Sequence, residues 1–127
     1  MPASRFFSIR KEMEPTISLN DTELMTLLAI LRLGEEAYGV PLCRELTSMT
    51  GRTAALASVY KTLGRLEKRG FVASRMGEPT AERGGRAKRF TRVTPKGVRA
   101  IDATRTLLNS LWQDVPAFGK ALRKSRA

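Results

Sequence analysis

Histidine is absent from the 127-residue chain, and Cys43 is its only cysteine. Without histidine the chain lacks the commonest general base, and with one thiol it lacks the donors of an ordinary zinc site. No disulfide can close within one chain. Cys43 lies between Leu42 and Leu46 in a helical context and reads as a small core residue rather than a reactive thiol. Carboxylates are scarce, twelve in all, and no two stand out as an acid–base couple. No enzyme is expected, and no catalytic residue, metal or cofactor. Long apolar runs are missing too. The longest, LLAIL at 27–31, falls far short of the roughly 20 residues a membrane helix needs. The opening MPASRFFSIRKEMEPTIS lacks the apolar stretch of about 7–15 residues that marks a signal peptide. A cytoplasmic protein with no membrane partner is expected.

Positive charge is what the chain has in excess. The formal net charge is +11, and it is unevenly spread. Residues 1–51 hold five Lys/Arg against seven Asp/Glu, residues 52–99 hold thirteen against three, and residues 100–127 hold five against two. One segment of 48 residues therefore carries nearly the whole imbalance, which fits a surface built for a polyanion. A generally basic protein would explain the total but not the clustering. The length fits a single domain able to bury its own core, and 42% apolar residues is ordinary for a globular one.

The pattern of elements is helix, helix, helix, hairpin, long helix. Residues 1–17 read as a flexible N-terminal arm, polar and basic with Pro2 and Pro15. NDTELMTLLAILRLG then predicts a helix, with Asn20 and Glu23 placed for a capping box, Gly34 at its end, and Leu24, Leu27, Leu28 and Leu31 on a buried face. A second helix follows Tyr38-Gly39 over about 40–49, with Val40, Leu42, Cys43 and Leu46 inward and Gly51 at its end. In the third, ALASVYKTLGRLEKRG, an apolar stripe steps through Leu56, Val59, Leu63 and Leu66 to Gly70. Residues 71–93 then read as a two-stranded hairpin with a glycine-rich tip. Thr94-Pro95 opens a last helix to Val115, Pro116 stops it, and 116–127 reads as a frayed basic tail.

Three short helices and a basic hairpin make a winged helix-turn-helix over 18–94, in a mainly α fold with a small β-hairpin. Opposite the apolar stripe of the third helix stand Ser58, Lys61, Thr62, Arg65 and Arg69, hydroxyls and cations suited to phosphates and base edges. That helix alone fits a routine amphipathic surface helix equally well. The hairpin, GEPTAERGGRAKRF at 77–90, favours the first reading. Gly84 and Gly85 let backbone approach a phosphate or groove, while Arg83, Arg86, Lys88 and Arg89 supply charge from both arms. Double-stranded DNA is the expected partner. A non-specific nucleoid-coating or RNA-binding basic protein remains the alternative, although Phe90 alone makes a poor stacking platform for bases. A protein-binding winged helix is a third reading, but it has no need of such clustered charge. In the last helix Ile101, Thr104, Leu108, Leu111 and Val115 lie close to a seven-residue repeat, so 95–115 is expected to form a homodimer through this C-terminal dimerisation helix.

The runs AYGVPLCREL, ASVYKTLGRLEKRGFV and GGRAKRFTRVTPKG resemble, in order and spacing, the PadR family of bacterial transcriptional regulators, over roughly residues 22–100. The resemblance implies a winged-helix domain, a homodimer on a pseudo-palindromic operator, association with the bacterial nucleoid, and repression relieved by an effector. Ser58, Val59 and Tyr60 match the SVY run that opens the family's recognition helix, which makes Tyr60 a DNA contact. Lys61 stands where many members have proline, adding a charge to that face. Gly84, Gly85, Arg86 and Lys88 match the wing, and Thr94-Pro95 with Gly97 match the start of the final helix. The short C-terminal helix resembles the compact subgroup. Trp112 stands where an aromatic either lines an effector pocket at the dimer interface or serves as an ordinary interface hydrophobe.

Overall fold

Asn20 starts the first helix in the expected way. Its side chain accepts the Glu23 N–H at 2.8 Å, and the Glu23 carboxylate accepts the Asn20 N–H at 3.0 Å. The computed structural model describes residues 19–78, 88–113 and 115–127. In chain order they form α1 (Asp21–Leu33), a 3-10 turn (Gly34–Glu36), α2 (Gly39–Thr50), α3 (Leu56–Lys68), β1 (Val72–Met76), β2 (Arg89–Val93), α4 (Pro95–Gln113) and α5 (Phe118–Arg126). Three helices followed by an antiparallel hairpin are a winged helix.

The buried face of α1 is rotated from the expected leucine stripe. Leu27, Ile30, Ala29, Thr26 and Glu23 are buried, whereas Leu24 and Leu28 are half-buried and Leu31 is 50% exposed. The helix has neighbours on two sides, α2 with α3 and β2, so the inward side is set by packing rather than by where the leucines fall. In α2, Leu42 and Leu46 are buried, Cys43 is half-buried and Val40 is exposed. Burial pushes the Cys43 thiol up from its ordinary range. In α3 the stripe holds at Val59, Leu63 and Leu66 and fails at Leu56, which the first turn leaves exposed.

Gly70 ends α3 with φ +78°. The Phe71 N–H reaches Leu66 O at 2.9 Å and the Gly70 N–H reaches Glu67 O at 3.0 Å, the paired bonds of a Schellman cap. This turns the chain into β1 and seats Phe71, 2% exposed, in the core. β1 and β2 pair antiparallel from Val72↔Val93 to Met76↔Arg89, and the Gly77 N–H to Lys88 O bond at 2.7 Å extends the ladder. The Thr91 N–H also bonds Ala37 O at 2.9 Å, fixing the hairpin to the start of α2.

α4 begins as the sequence predicts, at Thr94-Pro95. The Thr94 hydroxyl accepts the Gly97 N–H at 3.1 Å and donates to Gly70 O at 2.6 Å. A Cβ at Gly97 would lie 2.2 Å from Phe71 O, so only glycine lets the helix sit this close. Its inner seam is Gly97, Ala100 and Thr104, all buried. The residues after Pro116 form helix α5 rather than a frayed tail, with Phe118 edge-on to Trp112 at 4.9 Å between ring centroids. No helix among the described residues is long and apolar enough to cross a membrane.

Candidate nucleic-acid interface

The α2–α3 turn is held by threonine hydroxyls. Thr47 accepts the Ala54 N–H at 3.1 Å and donates to Cys43 O at 2.8 Å. Thr50 donates to Leu46 O at 2.9 Å, while Gly51 takes φ +72° and donates to Thr47 O. With the turn fixed, burial of Val59, Leu63 and Leu66 leaves Ser58, Lys61 and Arg65 exposed on the opposite side of α3. These three occupy the face the sequence assigned to DNA.

Two others do not. Thr62 is 4% exposed, and its hydroxyl donates to Ser58 O at 3.1 Å. At 100° per residue it falls beside Val59 and Leu66 rather than beside Lys61. Arg69 turns toward α1: its Nη1 donates to both Glu23 carboxylate oxygens at 3.1 and 3.0 Å, and its guanidinium lies 4.7 Å from the Phe71 ring centroid. Glu23 is almost wholly buried, so Arg69 holds the helices together.

Tyr60 is 48% exposed on the flank of α3. It packs over the first turn of α2: a Cβ at Gly39 would stand 2.5 Å from the phenol oxygen and 3.2 Å from Leu56 Cδ1. Glycine after Tyr38 thus gives Tyr60 its place. Among the cations expected on the hairpin, Arg89 donates to Glu67 Oε2 at 2.7 Å, and the Ser74 hydroxyl donates to the same oxygen at 3.3 Å. Arg89 therefore ties the wing to α3. Lys88 is exposed at the end of the described ladder, where Nζ donates to Tyr38 Oη at 3.2 Å and lies 4.6 Å from that ring's centroid. Tyr38 in turn meets Phe90 edge-on at 5.2 Å. Arg83, Gly84, Gly85 and Arg86 lie outside the described residues.

Sequence reasoning missed Glu67 and Tyr38, which link α3 and α2 to the hairpin. Glu67 is the only carboxylate in ALASVYKTLGRLEKRG, a signal that it has a partner there. For the dimerisation set the structure makes a division. Thr104 is 8% exposed with its hydroxyl on Ala100 O at 2.8 Å, and Ile101 packs on the core. A heptad counted from Ile101 overlooked that the first turns of α4 already have a neighbour in α1 and β2. Leu108, Leu111, Trp112 and Val115 remain 42–59% exposed.

A helix bearing exposed hydroxyl and cations, flanked by a hairpin pinned to it, is the arrangement of a DNA-reading winged helix. The PadR-like transcriptional regulator family model matches residues 27–103, spanning α1 to the middle of α4. The chain belongs to the PadR-like family of transcriptional regulators. No curated protein sequence matches it. In fold, this PadR-like chain is similar to a transcriptional regulator of Clostridium thermocellum, at 18% identity with TM-score 0.61, covering 93% of this chain and 97% of that one. It is similar also to a PadR family regulator of Eggerthella lenta, at 23% identity with TM-score 0.57, covering 94% and 90%. The Orc1 protein of Aeropyrum pernix, solved in complex with DNA, shares the fold over 82% of this chain and 30% of its own, at 19% identity and TM-score 0.56. The PadR-like chain is thus a DNA-binding transcriptional regulator by family.

Proposed function

We propose that the protein is a homodimeric, sequence-specific repressor that lays α3 in the major groove and sets its hairpin on the adjoining backbone. The observation that carries this reading is the division of α3, with Val59, Leu63 and Leu66 buried on one side and Ser58, Lys61 and Arg65 exposed on the other. Arg65 is suited to a guanine edge, since a guanidinium pairs with O6 and N7 together. Lys61, Lys88 and Tyr60 are suited to phosphates. That the Orc1 protein, which shares this fold over 30% of its own chain, was solved in complex with DNA supports a DNA partner.

Dimerisation is supported by the far end of α4. Leu108, Leu111 and Trp112 stand at i, i+3 and i+4, which is one helical face, Val115 follows just past the helix end, and all four are exposed. A two-fold copy of the same face would cover them. Two copies of α3 would then read half-sites about one DNA turn apart, roughly 34–36 Å. An effector bound near Trp112 would act by changing that separation.

The test is binding to duplex DNA of the upstream promoter, to scrambled duplex and to structured RNA, each across a salt series. A dimer neutralising about six to eight phosphates should give a log K against log salt slope of about −5 to −7. Promoter duplex should win by at least tenfold. Equal affinity for all three nucleic acids would return the reading to a non-specific basic protein.

A further inference from the structure

Gly64 stands inside α3, with helix on both sides of it. After proline, glycine is the least favourable residue there, because it gives up the most backbone freedom on folding. Other glycines of the described chain have a reason in the fold. Gly51 and Gly70 take positive φ, and a Cβ at Gly39 or Gly97 would collide with its neighbours. Gly64 has neither reason. Its φ is not positive, and a Cβ built on it meets nothing within 4 Å among the described residues. A methyl group fits, and alanine would make the better helix.

The surroundings of Gly64 define what can meet it. It is exposed, and it borders a recess of about 130 Å³ between α3 and the hairpin. Tyr60 and Glu67 line this recess one helical turn to either side, and Ser74 and Arg89 line it from the strands. Arg89 donates to Glu67 at 2.7 Å and the Ser74 hydroxyl donates to the same oxygen, so helix and hairpin are fixed to each other across it. With α3 in the major groove and the hairpin on the adjoining backbone, one DNA strand crosses between the two. That step rests on the function proposed above. Of the α3 residues bordering the recess, Gly64 alone puts no side chain in the strand's path.

We propose that Gly64 is the point of closest approach to DNA, where the sugar–phosphate chain of one strand packs against the bare Cα at the mouth of the recess. Glycine lets two backbones come nearer than any side chain permits. Its bareness sets how deeply α3 enters the groove, and so whether Arg65 reaches a base edge. The contact is steric: it adds no charge and reads no base, which separates it from Lys61 and Arg65.

The test compares Gly64→Ala and Gly64→Leu, both better helix formers, with the unaltered full chain. Alanine should raise Tm by about 3–6 °C. Anisotropy with promoter duplex should show affinity about tenfold lower for alanine, and lower still for leucine, as for a side chain forced into filled space. The slope of log K against log salt should not change, because no cation is lost. The ranking of single-substituted duplexes should be kept. An alanine variant that binds promoter duplex as tightly as the unaltered chain would overturn the proposal, and the unaltered chain's preference for promoter over scrambled duplex would still uphold the repressor reading. A lower Tm for both variants would also overturn it, since glycine would then serve the fold. So would a loss confined to duplexes with one particular base pair, which would put a base edge at Gly64. An unaltered chain that binds no duplex DNA would remove both readings.

Discussion

Replacing Arg69 by methionine separates folding from DNA contact at a position whose charge and place on α3 point to the second. The side chain reaches back to Glu23, which is 4% exposed and already shares in the capping box of α1. Removing the guanidinium leaves a carboxylate buried with the Asn20 N–H as its remaining hydrogen bond among those found. Breaking a fully buried pair by removing one partner costs about 3–5 kcal/mol. The Arg69 side chain is 29% exposed, so water reaches the pair and the cost falls to about 2 kcal/mol. Methionine keeps an apolar stem of similar length, while the guanidinium's contact with the Phe71 ring goes with the charge.

In a domain of this size about 2 kcal/mol lowers Tm by roughly 6–12 °C. Thermal unfolding followed by circular dichroism reads the shift, and anisotropy with promoter duplex, at a temperature where the variant is folded, reads binding. The affinity should change less than about threefold, the screened loss of one non-contacting charge. Glu23→Gln in the same chain should recover part of the stability, because the isolated buried anion is then gone. A variant with unchanged Tm and a tenfold or greater loss of affinity would refute the reasoning and return Arg69 to the DNA face.

Other positions should behave differently. Arg65→Ala should cost about 1–3 kcal/mol of binding and relax preference at one base pair, measured against a panel of single-substituted duplexes, with Tm unchanged. Glu67→Gln should leave stability within about 0.5 kcal/mol, since the Arg89 pair is exposed. It should tighten binding to scrambled duplex about two- to fivefold at low salt by removing an anion beside the interface, lowering the specificity ratio in the same anisotropy assay. Leu108→Glu with Leu111→Glu should yield a folded monomer by sedimentation and cut promoter affinity at least tenfold; a double variant that still dimerises would remove α4 as the interface.

What was legible in the sequence was whatever a local signal decides. Asn20 with Glu23, Gly70 at the end of α3, and Thr94-Pro95 with Gly97 each mark an element boundary through hydrogen bonds made within a few residues. All three boundaries stand where the sequence puts them. The hairpin was legible as a pair of strands within 71–93, and its register came only from the structure. Faces were harder. Leu31 reads as buried by periodicity and is exposed, Thr62 reads as part of the DNA face and is buried, and Thr104, read as part of a dimer seam, is buried within the chain itself. A threonine in a helix can return its hydroxyl to the carbonyl four residues earlier, as both do, and so enters a core with no polar group left unsatisfied.

The site was half legible for a related reason. Charge composition locates a basic surface but not the orientation of any single cation, because a long side chain reaches a partner far away in sequence. Arg69 finds Glu23 forty-six positions away and Arg89 finds Glu67 twenty-two away, and neither pairing leaves a trace in spacing. Lys61 and Arg65 escape such capture because no carboxylate of the described residues lies within ion-pair distance of them. The two arginines expected at the DNA face that pair instead are those at the ends of α3 and of the hairpin arm, where the elements meet and acidic partners are placed. Lys61 and Arg65, cations of α3 that stay exposed, lie on the side of the helix turned away from its buried stripe. In a chain with nearly twice as many cations as anions, the few carboxylates therefore decide which arginines hold the fold and which stay exposed.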